Sequence, residues 1–178
     1  VVDACPAGEE NLPVRWAALL GALGETDTRR VLKRLRCSNA CIEETAVLVR
    51  ETAGEGVCRS FSEEKASAHA GDIHLRQLLG RYGLCTVERL CALCAALHPQ
   101  AAPECALAVQ RARQLEADGV CCRVSQLAVN GRDLMAAGIP AGPALRRVLE
   151  ALLDGVICAE YPNEKPALLA AAQKIIAS

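Results

Sequence analysis

The chain has 178 residues, 20 basic and 21 acidic side chains and a formal net charge of −1, so the whole-molecule field neither attracts nor repels a polyanion and any nucleic-acid site must be a local patch. Apolar residues make up 52% but aromatics only 2%, carried by Trp16, Phe61, Tyr82 and Tyr161, which excludes a ring-stacking platform for single strands and leaves duplex backbone and shape readable. Ala, Leu, Glu, Arg and Gln dominate over β-branched and aromatic residues, and the expected fold class is all-α: a multi-helix body followed by a small helical tail.

Residues 1–12 read as a linker or cut end, punctuated by Pro6, Gly8 and Pro13. The stretch lacks a basic n-region and carries Asp3, Glu9 and Glu10, unlike a signal peptide, and no apolar run approaches the roughly 20 residues that span a bilayer. A cytoplasmic protein without membrane contact is expected. Pro13 to Leu23 has helical spacing with Trp16, Leu19, Leu20 and Leu23 on the inner face, Gly24 as its stop and Thr26 or Asp27 as the cap of the next helix.

That next helix, Thr28 to Arg36, carries Arg29, Arg30, Lys33, Arg34 and Arg36 with no acid among them, while Val31, Leu32 and Leu35 turn inward. Like charges four residues apart repel by a few tenths of a kcal/mol per pair, so a phosphate would relieve the repulsion. A solvated face offset by Glu25, Asp27, Glu43 and Glu44 accounts for the same pattern. Ser38 and Asn39 open a third helix to about Thr52, with Ile42, Ala46 and Val49 inside and the AGEG run as its stop. Ser62 begins another segment, which Gly71 and Asp72 split before a helix through Leu75, Leu78 and Leu79 that ends at Gly80 or Gly83. Thr86 starts a helix closed by His98 and Pro99; Pro103 suits the first turn of the following one, which reaches Ala117 with Gly119 as its cap.

Eleven cysteines raise a choice between disulfides, metal and packing. An odd count without a secretory signal favours reduced thiols used as small apolar residues. The Cys91-Ala92-Leu93-Cys94 run and the Cys121-Cys122 pair supply four thiolates that would suffice for zinc, but no Gly, Pro or charge places the first pair on the turn that zinc hooks use, so no metal site is assigned. His69, His74 and His98 form no HExxH or His-Asp pair, and no Walker loop, GxGxxG or Ser-His-Asp order occurs; no catalytic residue is assigned.

The tail has the densest turn chemistry. Asn130-Gly131 signals a turn in which both residues tolerate positive φ, with Asp133 capping a short helix and Gly138 closing it. Pro140, Gly142 and Pro143 make a corner before a long helix whose Leu145, Val148, Leu149, Leu152, Leu153, Val156 and Ile157 form one apolar stripe, with Arg146, Arg147, Glu150 and Asp154 outward. Tyr161-Pro162 breaks it, and Asn163 caps a final helix with Leu168, Leu169, Ala172 and Ile176 inside.

Gly131, Arg132, Asp133, Leu134, Gly138, Gly142, Pro143, Pro162, Asn163, Glu164, Lys165 and Leu168 match a G-[KR]-D-L turn, a Gly/Pro corner and a P-N-E-K-x-x-L motif, and over some forty residues the combination resembles the tail of class II, Bacillus-type CCA-adding tRNA nucleotidyltransferases. Upstream, Leu35, Arg36, Ser38 and Asn39 resemble the L-R-x-S-N signature of that family's body. Related metal phosphohydrolases carry His-Asp after an AALL run, where this chain has Gly21 and Ala22, so that metal site is lost. The resemblance implies a body over 13–122 and a tail over 123–178 that hold the acceptor arm and elbow of tRNA. It places magnesium, ATP and CTP only in a head domain whose paired carboxylates this sequence does not contain, so the chain binds no cofactor and is expected to be inactive alone. The backbone-contact residues it suggests are Arg29, Arg30, Lys33, Arg34, Arg132, Arg146, Arg147 and Lys165. The alternative is a helical protein-interaction or dimerisation module, possible as a homo-oligomer, that docks through the Leu145 to Ile157 stripe without RNA.

Overall fold

A computed structural model describes residues 1–53 and 68–177, with the side chains of 68–71 and 177 excepted. Among the described residues every regular element is helical and no strand occurs. The α-helices are α1 (Leu12–Leu20), α2 (Gly24–Arg34), α3 (Asn39–Thr52), α4 (Ala68–Tyr82), α5 (Leu84–Leu97), α6 (Ala102–Ala117), α7 (Gly131–Ala136), α8 (Pro143–Ile157) and α9 (Lys165–Ala177). None is long and apolar enough to cross a membrane among the described residues. The AGEG stop beyond Ala53, the Ser62 helix start and the side chain of His69 lie outside what is described.

The body is arranged around α5, which is buried along two sides. Leu90, Leu93 and Ala96 meet Val14 and Ala17 of α1 and Leu48 and Val49 of α3. Val87, Cys91 and Cys94, offset by one position, meet Leu75, Leu78 and Leu79 of α4 and Cys105, Ala112 and Leu115 of α6. Both stripes repeat at the 3–4 spacing that keeps side chains on one helical face. Small residues are needed because two layers approach the same helix, and cysteine serves here as a compact apolar side chain. Burial pushes the Cys91 thiol up to about 12 and raises those of Cys105, Cys121 and Cys122. Cys94 is disulfide-bonded, which corrects the expectation of free thiols throughout.

The N-terminal residues pack on this body. Cys5 is buried against the α1–α3–α5 cluster, and Arg89 of α5 donates to the Glu10 carbonyl at 2.5 Å while pairing with Glu44 of α3.

Several helix boundaries and faces differ from the periodicity reading. α1 stops at Leu20, and a 3-10 turn over Gly21–Leu23 leads directly into α2, so Gly24 begins a helix instead of ending one and Thr26 and Asp27 lie inside the first turn. The buried face of α1 is Pro13, Val14 and Ala17, whereas Leu19 and Leu23 are exposed. α2 buries Leu32 and Thr28, whose hydroxyl donates to the Leu20 carbonyl at 3.2 Å, while Leu35 lies outside. α4 runs unbroken through Gly71 and ends at Tyr82, before Gly83, the second of the two expected stops, and α5 begins at Leu84, two residues before Thr86. Ser38 caps α3 by accepting from the Cys41 N–H at 3.3 Å, and Gly119 closes the α6 end at φ 63°, both as expected. In α9, Leu168 and Ala172 are buried but Ile176 is exposed, with Ile175 packed in its place.

A third cluster, Leu127, Val129, Leu134, Ile139, Val148, Leu152, Leu168 and Ala172, joins α7, α8 and α9. Of the long apolar stripe of α8, Val148, Leu152 and Ile157 are buried, while Leu145, Leu149, Leu153 and Val156 are half-buried. α8 ends at Ile157 because Ala159 adopts φ 58° and the Glu160 N–H returns to the Gly155 carbonyl at 2.9 Å, before Tyr161-Pro162 is reached.

α4 meets α8 at a close junction. Arg76 donates to the Ile157 carbonyl at 3.4 Å, and a Cβ at Gly80 would collide with the Cys122 carbonyl. Gly80→Ala is expected to lower the unfolding free energy by about 1–3 kcal/mol because backbone, not a side-chain tip, must yield. Ala159→Gly is expected to raise it by up to about 1 kcal/mol by relieving the left-handed backbone, less the added freedom of the unfolded chain. Chemical denaturation followed by helical circular dichroism measures both.

Candidate nucleic-acid interface

The tail's polar residues form a lattice that sets where its cations lie. Asn130 is the N-cap of α7: its side-chain oxygen accepts from the N–H groups of Arg132 at 2.9 Å and Asp133 at 3.2 Å. Asp133 returns the contact by accepting from the Asn130 N–H at 3.0 Å, a reciprocal capping box. Asn130 has φ −125° and Gly131 is helical, so the pair is a helix start and not the positive-φ turn its dipeptide suggested.

The other carboxylate oxygen of Asp133 pairs with Lys165 at 2.6 Å, tying α9 to the start of α7. The Lys165 ammonium, together with the Asn130 N–H, holds the Asp133 carboxyl below its usual range. Asn163 does not cap α9. Its amide oxygen accepts from the Ala128 N–H at 2.8 Å and its amide nitrogen donates to the Gln126 carbonyl at 2.9 Å. Gln126 accepts in turn from the N–H groups of Cys122 and Arg123. Two side-chain amides thus stand in for regular secondary structure across the 122–128 connection.

The eight cations singled out in the sequence fall into three groups. Arg29 is half-buried between Glu25, at 3.1 Å, and Glu43, and its hydrogen bonds to Glu43 and Glu25 raise its pKa; it locks α2 to α3. Lys165 is likewise committed to Asp133. Arg30 pairs with Asp27 at 2.8 Å and Arg146 with Glu150 at 2.8 Å, both within one helix and largely exposed, where such pairs contribute only about 0–1 kcal/mol and open easily to a competing anion. Lys33, Arg34, Arg132 and Arg147 are exposed and make no ion pair among the described residues.

The cations sit in two places. Lys33 and Arg34 occupy the last turn of α2, beside exposed Arg36, which ends the helix at φ 57° with the Cys37 N–H returning to the Leu32 carbonyl at 3.1 Å. Arg132 lies at the start of α7, which abuts α8 closely enough that a Cβ on Gly131 would sit 3.2 Å from Leu145, the neighbour of Arg146 and Arg147. Arg132 and Lys165 thus lie at the start of α7, Arg146 and Arg147 follow Leu145 on α8, and Lys33 and Arg34 lie on α2. It adds Arg36 and Arg81 as exposed cations without an ion pair among the described residues; Arg81 lies 5.8 Å from the Tyr82 ring centre. The helix-ending backbone of Arg36 left no mark in the sequence, and the placement of Arg81 opposite α8 is visible only in the tertiary structure.

The arrangement can hold phosphates by charge at two separated points, with no group of three or more His, Cys, Asp or Glu side chains placed to hold a metal ion among the described residues. A family profile described as tRNA nucleotidyltransferase domain 2 matches residues 10–172. The chain is also 56% identical over 45 residues to the CCA-adding enzyme of Levilactobacillus brevis, a stretch that covers 25% of this chain and 11% of that enzyme. No solved structure matches.

Replacing Lys165 with Met is expected to release Asp133 toward its ordinary pKa. A carboxyl whose folded-state pKa is depressed contributes stability that is present above its unfolded value and lost as pH falls through the folded one. The parent should therefore be more stable than K165M at pH 7, and the gap should close as pH is lowered through the acidic range below the ordinary carboxylate value. Thermal melts across pH 2–7 read that gap, and a pH-independent difference would remove the ion pair as its source.

Proposed function

The chain belongs to the tRNA nucleotidyltransferase domain 2 family, and from that premise we propose that it is the tRNA-holding part of a CCA-adding enzyme. It grips the acceptor arm and elbow of tRNA through backbone phosphates and keeps the 3′ end at a separate head domain of the class II, Bacillus type, where magnesium, ATP and CTP bind and nucleotides are added. The observation that carries this reading is the family match across nearly the whole helical region, to which the stretch in common with a CCA-adding enzyme adds the reaction. The unpaired cations at the end of α2 and around the α7–α8 corner support it physically. Two basic groups on rigid helices suit a duplex recognised by shape and phosphate position, and the scarcity of aromatic residues is no handicap for that task.

Within the proposal, Lys33, Arg34, Arg132 and Arg147 contact phosphates directly, Arg30 and Arg146 do so after leaving their helical partners, and Arg29 and Lys165 keep the two surfaces in shape. Filter binding of a tRNA transcript across a salt series tests it. Affinity should fall with rising salt, and Arg34→Glu combined with Arg147→Glu should weaken binding at least tenfold and flatten the salt dependence by one to two phosphate equivalents, each worth a logarithmic slope of about 0.7–0.9. Arg29→Glu should instead lower the melting temperature. Absence of binding by the parent chain at low salt overturns the proposal.

A further inference from the structure

Between α4 and α8 lies a cleft of about 630 Å³, of whose lining the phosphate-holding reading uses Arg146 alone. Its size falls within the 300–1,000 Å³ typical of small-ligand sites. The rim is polar and exposed: Gln77 and Arg81 on the α4 side, Arg146, Glu150 and Asp154 on the α8 side. The floor is apolar and mostly covered, built by Leu153 and Ile157 with Cys122 beneath. Gly80 gives the cleft its depth, since only a residue without a Cβ lets α4 settle against the Cys122 carbonyl.

The charge balance of the rim selects the class of ligand. Two guanidinium groups face two carboxylates, so the rim is neutral, and Glu150 already holds Arg146 at 2.8 Å. A phosphate gains little there, because the carboxylates cancel the attraction of the arginines. A flat heterocycle with an apolar face and edges that both donate and accept is matched throughout. Its face lies against half-buried Leu153, its exocyclic amino group donates to a carboxylate, and its acceptors receive from Gln77 or Arg81. Carboxylates accepting from an amino group and amides pairing with a base edge are the usual chemistry of such recognition.

We propose that the cleft between α4 and α8 receives one unpaired, amino-bearing base of the bound RNA, so that the chain reads a flipped-out nucleotide as well as backbone. This rests on the tRNA-binding reading above. It also gives the junction of α4 with α8 a role, because a base seated there contacts both helices at once and its affinity depends on their spacing.

The test uses the full chain with a tRNA transcript, dimethyl sulfate probing of A and C base edges, and parallel affinity measurements over a salt series. The parent should protect at least one unpaired A or C. Gln77→Trp, an exposed position on α4 whose indole fills the cleft without changing charge, should abolish that protection and weaken binding roughly tenfold at an unchanged salt slope, the value of one well-made base contact. Circular dichroism verifies its fold. An identical protection pattern in parent and Gln77→Trp would mean that the cleft takes no base, which overturns the inference while leaving salt-dependent tRNA binding intact. A parent chain that does not bind tRNA at all overturns both readings.

Discussion

The body depends on one helix being buried along two sides. α5 must supply apolar contacts to α1 and α3 through Leu90 and Leu93 and to α4 and α6 through Val87, Cys91 and Cys94. Burying each large side chain contributes about 1.5–3 kcal/mol, but both layers approach closely only because Ala and Cys fill the remaining positions. The free thiols of Cys91 and Cys105 suit this geometry: a sulfhydryl is small, apolar and compatible with a helix, and burial raises its pKa. Whatever the body binds, it binds on surfaces that α5 holds in place from within.

The tail solves a different problem. Its helices are short or far apart in sequence, and the 122–130 connection has little regular structure to satisfy its backbone. Side chains do that work: Gln126 takes the N–H groups of Cys122 and Arg123, Asn163 bridges Gln126 and Ala128, and the Asn130–Asp133 box starts α7. Asp133 and Asn163 are among the residues on which the resemblance of the tail rests. Pro162-Asn163-Glu164-Lys165 matters in this chain because Asn163 and Lys165 reach back more than thirty residues to close the tail on itself.

Charge is divided between holding the fold and facing outward. Arg29, Arg89, Arg111 and Lys165 each cross from one element to another carboxylate and have little freedom to do more. Lys33, Arg34, Arg132 and Arg147 have no such partner among the described residues. A basic run in a sequence is thus not one surface; each member serves whichever acid the neighbouring helix brings within reach.

The all-α class, the positions of most helices and the apolar stripes of α3 and α8 were legible in the sequence, because helical period, capping residues and glycine stops are local signals. The resemblance of the tail was legible for the same reason, as a run of turn makers and caps over some forty residues. The inner face of α1 was not: Val14 and Ala17, rather than Leu19 and Leu23, meet α3 and α5, and side-chain volume at the packing distance decided that over hydrophobicity. Nor were the unbroken course of α4 through Gly71, the ending of α8 at Ala159, the bridging role of Asn163, or the commitment of Arg29 and Lys165 to ion pairs. Each depends on a partner distant in the chain, such as Asp133 at Lys165. The sequence by itself determined which segments are helices and which residues carry charge. Only the tertiary structure decided which faces close on one another, which cations remain outside, and that α4 and α8 leave a cleft between them, because packing distance and ion pairing are relations between segments that no local pattern records.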